Sequence, residues 1–232
     1  MKVGIMQPYF LPYIGYFQLI ASVDLFIMYD NIKYTKKGWI NRNRFLRNGR
    51  DIVFTLPLKD DSDLLDVRER ELAATFNREK LLNQFKGEYS HAPYFSQTFP
   101  VIESLMHHGD INLFSFLHHS ILNICQHLNI NTEIRISSEI AIDHSLKNQD
   151  KVLALCEATG ARMYINPFGG MELYSREAFI AQGIELKFIK TKSFKYTQFV
   201  NEFIPWLSII DVMMFNPINV ISKFIQSDYE LI

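Results

Sequence analysis

The sequence predicts an α/β fold built on a mostly parallel sheet, with a helical insertion and further helices toward the C-terminus. Three observations predict it. Short apolar runs bounded by turn residues alternate with segments of helical spacing along much of the chain. The first such run leads through a proline-marked loop into a helix and then a second apolar run. The stretch of about 77–129 carries apolar residues at helical spacing only, as an insertion or cap does.

In chain order, residues 2–6 are short, apolar and followed by Pro8 and Pro12, the pattern of a buried strand that leaves its sheet through a rigid loop. A helix begins near Tyr13 and leads to the apolar run 24–29. Residues 39–46 and 51–56 read as paired strands, because Asn48-Gly49 between them is a strong hairpin cue. After the helical stretch, strands are expected at 132–137, 162–166 and 184–189, alternating with helices at 150–159 and 175–182. Such alternation favours parallel pairing in a Rossmann-like sheet. An apolar helix over 206–215 and a last helix near 219–226 complete one domain spanning 1–232.

Composition narrows the function. The 24 basic and 25 acidic residues nearly cancel, which removes the strong positive field of a duplex DNA binder. A local basic cluster remains at Lys33, Lys36, Lys37, Arg42, Arg44, Arg47 and Arg50, and it suits a phosphorylated ligand. Cys125 and Cys156 stand alone in apolar stretches, consistent with reduced core thiols. The opening residues lack the features of a signal peptide, and no apolar run is long enough to span a bilayer, so the expected location is the cytoplasm.

The candidate site follows from the fold. In open α/β sheets ligands sit beyond the carboxyl ends of the strands, where helix N-termini favour anions. The loop holding Gln7, Tyr9 and Tyr13 occupies that place, and Gly15 permits close approach at the first helical turn. Asp30 follows the second apolar run, where it is a candidate general base or, alternatively, an Asx-turn cap. Lys37, Trp39, Asn41 and Arg42 combine charge, an aromatic platform and an amide, as a nucleotide diphosphate requires. Lys59 is placed to reach a phosphate from a strand end. Gly169-Gly170 lets backbone approach a ligand, with Tyr174 close after it. Lys147 and Lys151 flank a helix start that Asn148 or Asp150 is expected to cap, with ligand binding by these side chains as the alternative, and Ser208 and Asp211 are expected to support a neighbouring loop or, alternatively, to reach the site. Four of the histidines form the pairs His107-His108 and His118-His119, without the carboxylate partners of a metal site, and no GxSxG, P-loop or GxGxxG motif occurs.

The segment Gln7-Pro8-Tyr9-Phe10-Leu11-Pro12-Tyr13-Ile14-Gly15-Tyr16-Phe17 resembles the opening signature of WbqC-like proteins. Lys37-Gly38-Trp39-Ile40-Asn41-Arg42-Asn43-Arg44 resembles their second signature, with further matches at Pro57-Leu58-Lys59, 147–151, Tyr164 with Gly169-Gly170 and Tyr174, and Ser208-Ile209-Ile210-Asp211. The resemblance implies a transferase of surface-polysaccharide, especially O-antigen, biosynthesis. Its implied partners are a nucleotide-linked amino sugar and an acyl or aminoacyl donor, with glycyl as one example of the group moved. It implies no particular cofactor. A weaker resemblance links Tyr13-Ile14-Gly15-Tyr16 to the HxGH signature of nucleotidyltransferases, which makes Tyr13 and Tyr16 candidate catalytic residues beside Asp30. Tyrosines stay neutral near pH 7, so they suit nucleotide recognition better than charge stabilisation in nucleotidyl transfer.

Overall fold

The computed structural model describes residues 1–199 and 202–232. The first strand, β1 (Lys2–Met6), runs parallel to β2 (Leu25–Met28) on one side, and α1 (Ile14–Ala21) joins the two. All four residues of β2 are buried, as expected of a strand covered on both faces. Next comes an antiparallel hairpin, β3 (Arg42–Arg47) and β4 (Arg50–Thr55), which forms its own two-stranded sheet. Its turn residues Asn48 and Gly49 both have positive φ, 49° and 69°, which explains the Asn-Gly pair there.

Three helices follow: α2 (Arg78–Tyr89), α3 (Phe95–Met106) and α4 (Leu113–His127). Asn77 caps α2 through the Lys80 amide, and Asn112 caps α4 through the Ser115 amide. The chain then returns to the main sheet as β5 (Glu133–Ile136), parallel to β2. The hairpin and these helices therefore form the crossover from β2 to β5. The remaining elements are α5 (Asn148–Ala158), β6 (Met163–Pro167), α6 (Arg176–Ala181), β7 (Glu185–Thr191), α7 (Ile209–Phe215), α8 (Ile218–Ser227) and β8 (Tyr229–Leu231).

The six-stranded sheet has the order β5-β2-β1-β6-β7-β8, with only β8 antiparallel. Chain order reverses between β1 and β6, as in a Rossmann-like sheet, so a crevice is expected beyond their carboxyl ends. One face is covered by α1, the helices of the crossover, α7 and α8, around an aromatic cluster that includes Phe10, Phe45, Phe54, Phe85 and Phe116. The opposite face is covered by α5 and α6 through Val152, Leu155, Cys156 and Phe179.

Two local expectations change, and one strand is added. The apolar run 206–215 is helical only from Ile209, because Ser208 caps α7 while Trp206 takes a left-handed φ of 62°. The first hairpin strand begins at Arg42 rather than Trp39. The edge strand β8 has only three residues, too few for alternation to mark it. Among the described residues, no helix is long and apolar enough to cross a membrane.

Candidate functional site

The first loop is fastened by segments remote in sequence. Leu11 has a φ of 44°, which turns the chain sharply before α1. Its carbonyl accepts hydrogen bonds from Asn43 Nδ2 at 2.8 Å and from Ser208 Oγ at 2.7 Å. The Phe10 amide donates to the Ile40 carbonyl at 2.9 Å, and the Ile209 amide donates to the Pro12 carbonyl at 2.9 Å. Three of the motifs noted in the sequence thus meet at one turn. Asn43, absent from the expected site residues, is its central fastener. Its chemical signal was an amide two residues beyond Asn41.

Tyr13 and Tyr16 have different surroundings. The Tyr13 ring lies against Gly15, where any Cβ would overlap it, and it meets Trp206 edge-on at 5.9 Å. Burial pushes its phenol up, opposed by a hydrogen bond with Thr191. Tyr16 is 4 % exposed, and its hydroxyl donates to the Gln7 carbonyl at 3.2 Å. Burial raises its phenol well above the ordinary range. Tyr16 therefore holds the loop from inside, with its hydroxyl turned to the Gln7 carbonyl. Gln7 Nε2 donates to the Tyr9 hydroxyl at 2.8 Å, beside the Tyr16 ring.

Asp30 is also inside, at 2 % exposure. Its carboxylate accepts from Ser137 Oγ at 2.7 Å, from the Ser138 amide at 3.0 Å and from Ser138 Oγ at 2.6 Å. These bonds tie the end of β2 to the turn after β5. With its oxygens engaged by three donors and its side chain buried, Asp30 anchors the ends of these two strands.

The second segment supplies fewer ligand groups than its composition suggests. Asn41 is buried, with Oδ1 accepting from Tyr34 and Nδ2 donating to the Leu56 carbonyl. Arg42 folds back onto the carbonyls of Gly38 and Lys37, closing the turn before β3. Its guanidinium and that of Arg44 lie over the Trp39 ring, at 5.4 and 5.8 Å. Lys37 is exposed, while Lys59 pairs with Glu71 at 2.8 Å on the surface. Tyr9, Tyr13, Trp39 and Trp206 instead line a cleft of about 190 Å³.

A larger cavity, about 720 Å³, opens at the carboxyl edge of the sheet between β2, α5 and the turn after β6. Tyr29, Asn31, Lys33, Lys147, Lys151 and Tyr174 all line it. The first turn of α5 has no side-chain cap; neither Asn148 nor Asp150 fills that role, and Asn148 has a φ of 48°. Its amides and dipole thus favour an anion. Lys151 is only 3 % exposed. Its ammonium donates to the Asn31 carbonyl at 3.1 Å and lies 5.1 Å over the Tyr29 ring. Desolvation pulls its pKa down, and pushes the Tyr29 phenol up to about 12. Glu172 and Asp66 add negative charge to the lining.

The paired glycines act unequally. Gly170 is buried where a Cβ would strike Asn166, whose Oδ1 accepts from the Tyr164 hydroxyl at 3.0 Å. Tyr164 and Tyr174 are in turn hydroxyl to hydroxyl at 3.4 Å, so Gly170 belongs to the packing that places Tyr174. Gly169 has open space at its Cβ position.

Asp211, fully buried, accepts from Tyr89 at 2.9 Å and from Tyr196 and Gln198 at 2.6 Å each. Loss of water outweighs these donors and raises its carboxyl to about 6. Burial likewise pushes the Cys125 and Cys156 thiols up to about 12, which disfavours nucleophilic thiolates. Among the described residues, no cluster of three or more His, Cys, Asp or Glu side chains is arranged to hold a metal ion.

The uncharacterized protein Rv1507c of Mycobacterium tuberculosis (strain ATCC 25618 / H37Rv) is 27 % identical to this chain over 215 residues, covering 91 % of this chain and 92 % of its own length. The profile of the WbqC-like protein family matches residues 7–223, from the first loop into α8. The match covers the two signatures, the α5 turn and Ser208 to Asp211, and so the chain belongs to the WbqC-like protein family, which is associated with polysaccharide biosynthesis.

Proposed function

We propose that this protein is a transferase of surface-polysaccharide biosynthesis, of the O-antigen kind, that binds a nucleotide-linked amino sugar and moves an acyl or aminoacyl group onto its amine. The observation that carries this reading is the cavity of about 720 Å³ around Lys33, Lys147 and Lys151 at the carboxyl edge of the sheet. Three ammonium groups and an uncapped helix turn suit a diphosphate, while Tyr29 and Tyr174 offer aromatic surface to a base or sugar. The volume lies within the roughly 300–1,000 Å³ of small-molecule sites. In this reading Asp30, Tyr16 and Gly170 are positioning residues, and Lys151 replaces Asp30 as the group beside the reacting amine.

The test is calorimetric titration with UDP-N-acetylglucosamine, UDP and N-acetylglucosamine, followed by mass spectrometry of mixtures containing nucleotide-linked amino sugars and acyl or aminoacyl donors. The expected results are binding of the nucleotide sugar and of UDP, and a mass gain equal to the transferred group. Binding without any mass gain across the donor panel supports a non-catalytic nucleotide-sugar carrier. No binding of any nucleotide overturns the reading. Release of pyrophosphate from a nucleoside triphosphate would instead favour nucleotidyl transfer, a reading weakened by the inward-facing Tyr16.

A further inference from the structure

The chain contains two tryptophans, and both stand on the wall of the smaller cleft. Trp39 is 43 % exposed and Trp206 55 % exposed. Burying a large apolar side chain stabilises a fold, so two left out of the core at one place mark a surface kept for binding. Trp206 adds a second sign. A φ of 62° is strained for a bulky residue, yet it is held there by Arg44, whose Nη2 donates to the Trp206 carbonyl at 3.1 Å. That strained backbone displays the indole outward, beside Tyr13.

The remaining chemistry selects the occupant. Asn43 is used up internally: its Nδ2 serves the Leu11 and Phe10 carbonyls, and its Oδ1 accepts from the Arg44 amide. Arg44 is engaged by Asp51 at 2.9 Å and by the Trp206 carbonyl. Among the described residues lining the cleft, no side-chain amide is left free to read the edge of a nucleobase, and the Arg44 charge is already paired. The guanidinium groups over Trp39 occupy the stacking space that a base would take. What the cleft offers is aromatic wall and the Tyr9 hydroxyl, which accepts from Gln7 and keeps its own hydrogen to donate. At about 190 Å³ it is smaller than a site for a whole nucleotide sugar, and it suits a single ring.

We infer that this cleft is a stacking subsite for one pyranose ring, whose C–H face lies on Trp206 while Trp39 closes the edge of the cleft and the sugar hydroxyls face Tyr9 and solvent. It is separate from the cavity at α5, and it requires neither a nucleotide nor a transfer reaction. Because both tryptophans of the chain line it, intrinsic fluorescence reports this cleft directly.

The test is tryptophan emission of the full chain titrated with methyl glycosides of glucose, galactose, mannose, fucose and N-acetylglucosamine, with UMP as the base control. The expected result is a saturable change with at least one glycoside at millimolar concentration. It should persist in Trp39→Phe and in Trp206→Phe, each a single-tryptophan protein, and in Lys151→Met. Trp206→Ala should weaken it about tenfold. Circular dichroism of Trp206→Ala checks the fold, and the phenylalanine variants keep the test open if that variant unfolds. No saturable response to any glycoside overturns the inference. So does a response to UMP alone, which would mark a base site, or an emission change with protein concentration alone, which would mark a contact between copies. Nucleotide binding tested at Lys151 can fail without affecting this result.

Discussion

Asn43 Nδ2 donates to the Leu11 carbonyl at 2.8 Å, joining the hairpin strand β3 to the turn that precedes α1. Ser208 Oγ donates to the same carbonyl from the start of α7. Leaving a buried acceptor short of donors costs about 1–3 kcal/mol, so Asn43→Ala and Ser208→Ala should each lower stability by that order. Among the described residues these two side chains are the donors to that carbonyl, so the double variant should lose more than the sum. Urea denaturation of the four proteins reads this, and additivity within about 0.5 kcal/mol would show that the two bonds act independently.

Gly15→Ala should destabilise the protein by about 1–3 kcal/mol, because the new methyl must displace the Tyr13 ring. In a Tyr13→Ala background the same substitution should cost far less. A double-mutant cycle in chemical denaturation measures the difference. An equal cost in both backgrounds would place the strain in the α1 backbone instead.

Lys151→Met should weaken nucleotide-sugar binding by roughly tenfold to a hundredfold, the range of charge-assisted hydrogen bonds of about 1.5–3 kcal/mol. Its urea midpoint should stay level or rise, since desolvation penalises the buried ammonium. Calorimetry and denaturation on one preparation test both halves. Unchanged binding with a lower midpoint would make Lys151 a structural residue.

Asp211 sets a pH dependence of defined sign. Its carboxyl is raised from an ordinary 3.8 to about 6 in the fold. Between those values the unfolded chain releases a proton that the native state keeps, so stability from this group is full below about pH 4 and lost as pH rises through about 6. Asp211→Asn should remove that fall. Urea midpoints of both proteins from pH 4 to 7 test it, and a difference between them that does not change with pH would refute the shifted titration.

The strands of the sheet were legible as short apolar runs between turn residues, its helices by the spacing of their apolar residues, and the Asn48-Gly49 turn because its chemistry is specific. The break before Ile209 was hidden by apolar residues on both sides of it. The loop, the second segment and Ser208 were legible as separate motifs, while their meeting at one carbonyl was not, since a single chain does not display its long-range bonds. Asp30 and Tyr16 have residue types common in active sites, and only burial shows where their polar atoms point. Lys151 was read within a charged helix start, because nothing local signals an ammonium folded over Tyr29.

The bond between Leu11 and Ser208 spans 197 residues, which gives it a place in time as well as in space. At ribosomal rates of about 5–20 residues per second, Leu11 waits roughly ten to forty seconds for that partner to be made. Asn43 emerges long before, so the nascent chain can acquire one of the two fasteners early. The earliest-made segment of the site is therefore among the last to be finished, and a chain stalled before Ser208 would carry the first loop without its final clasp.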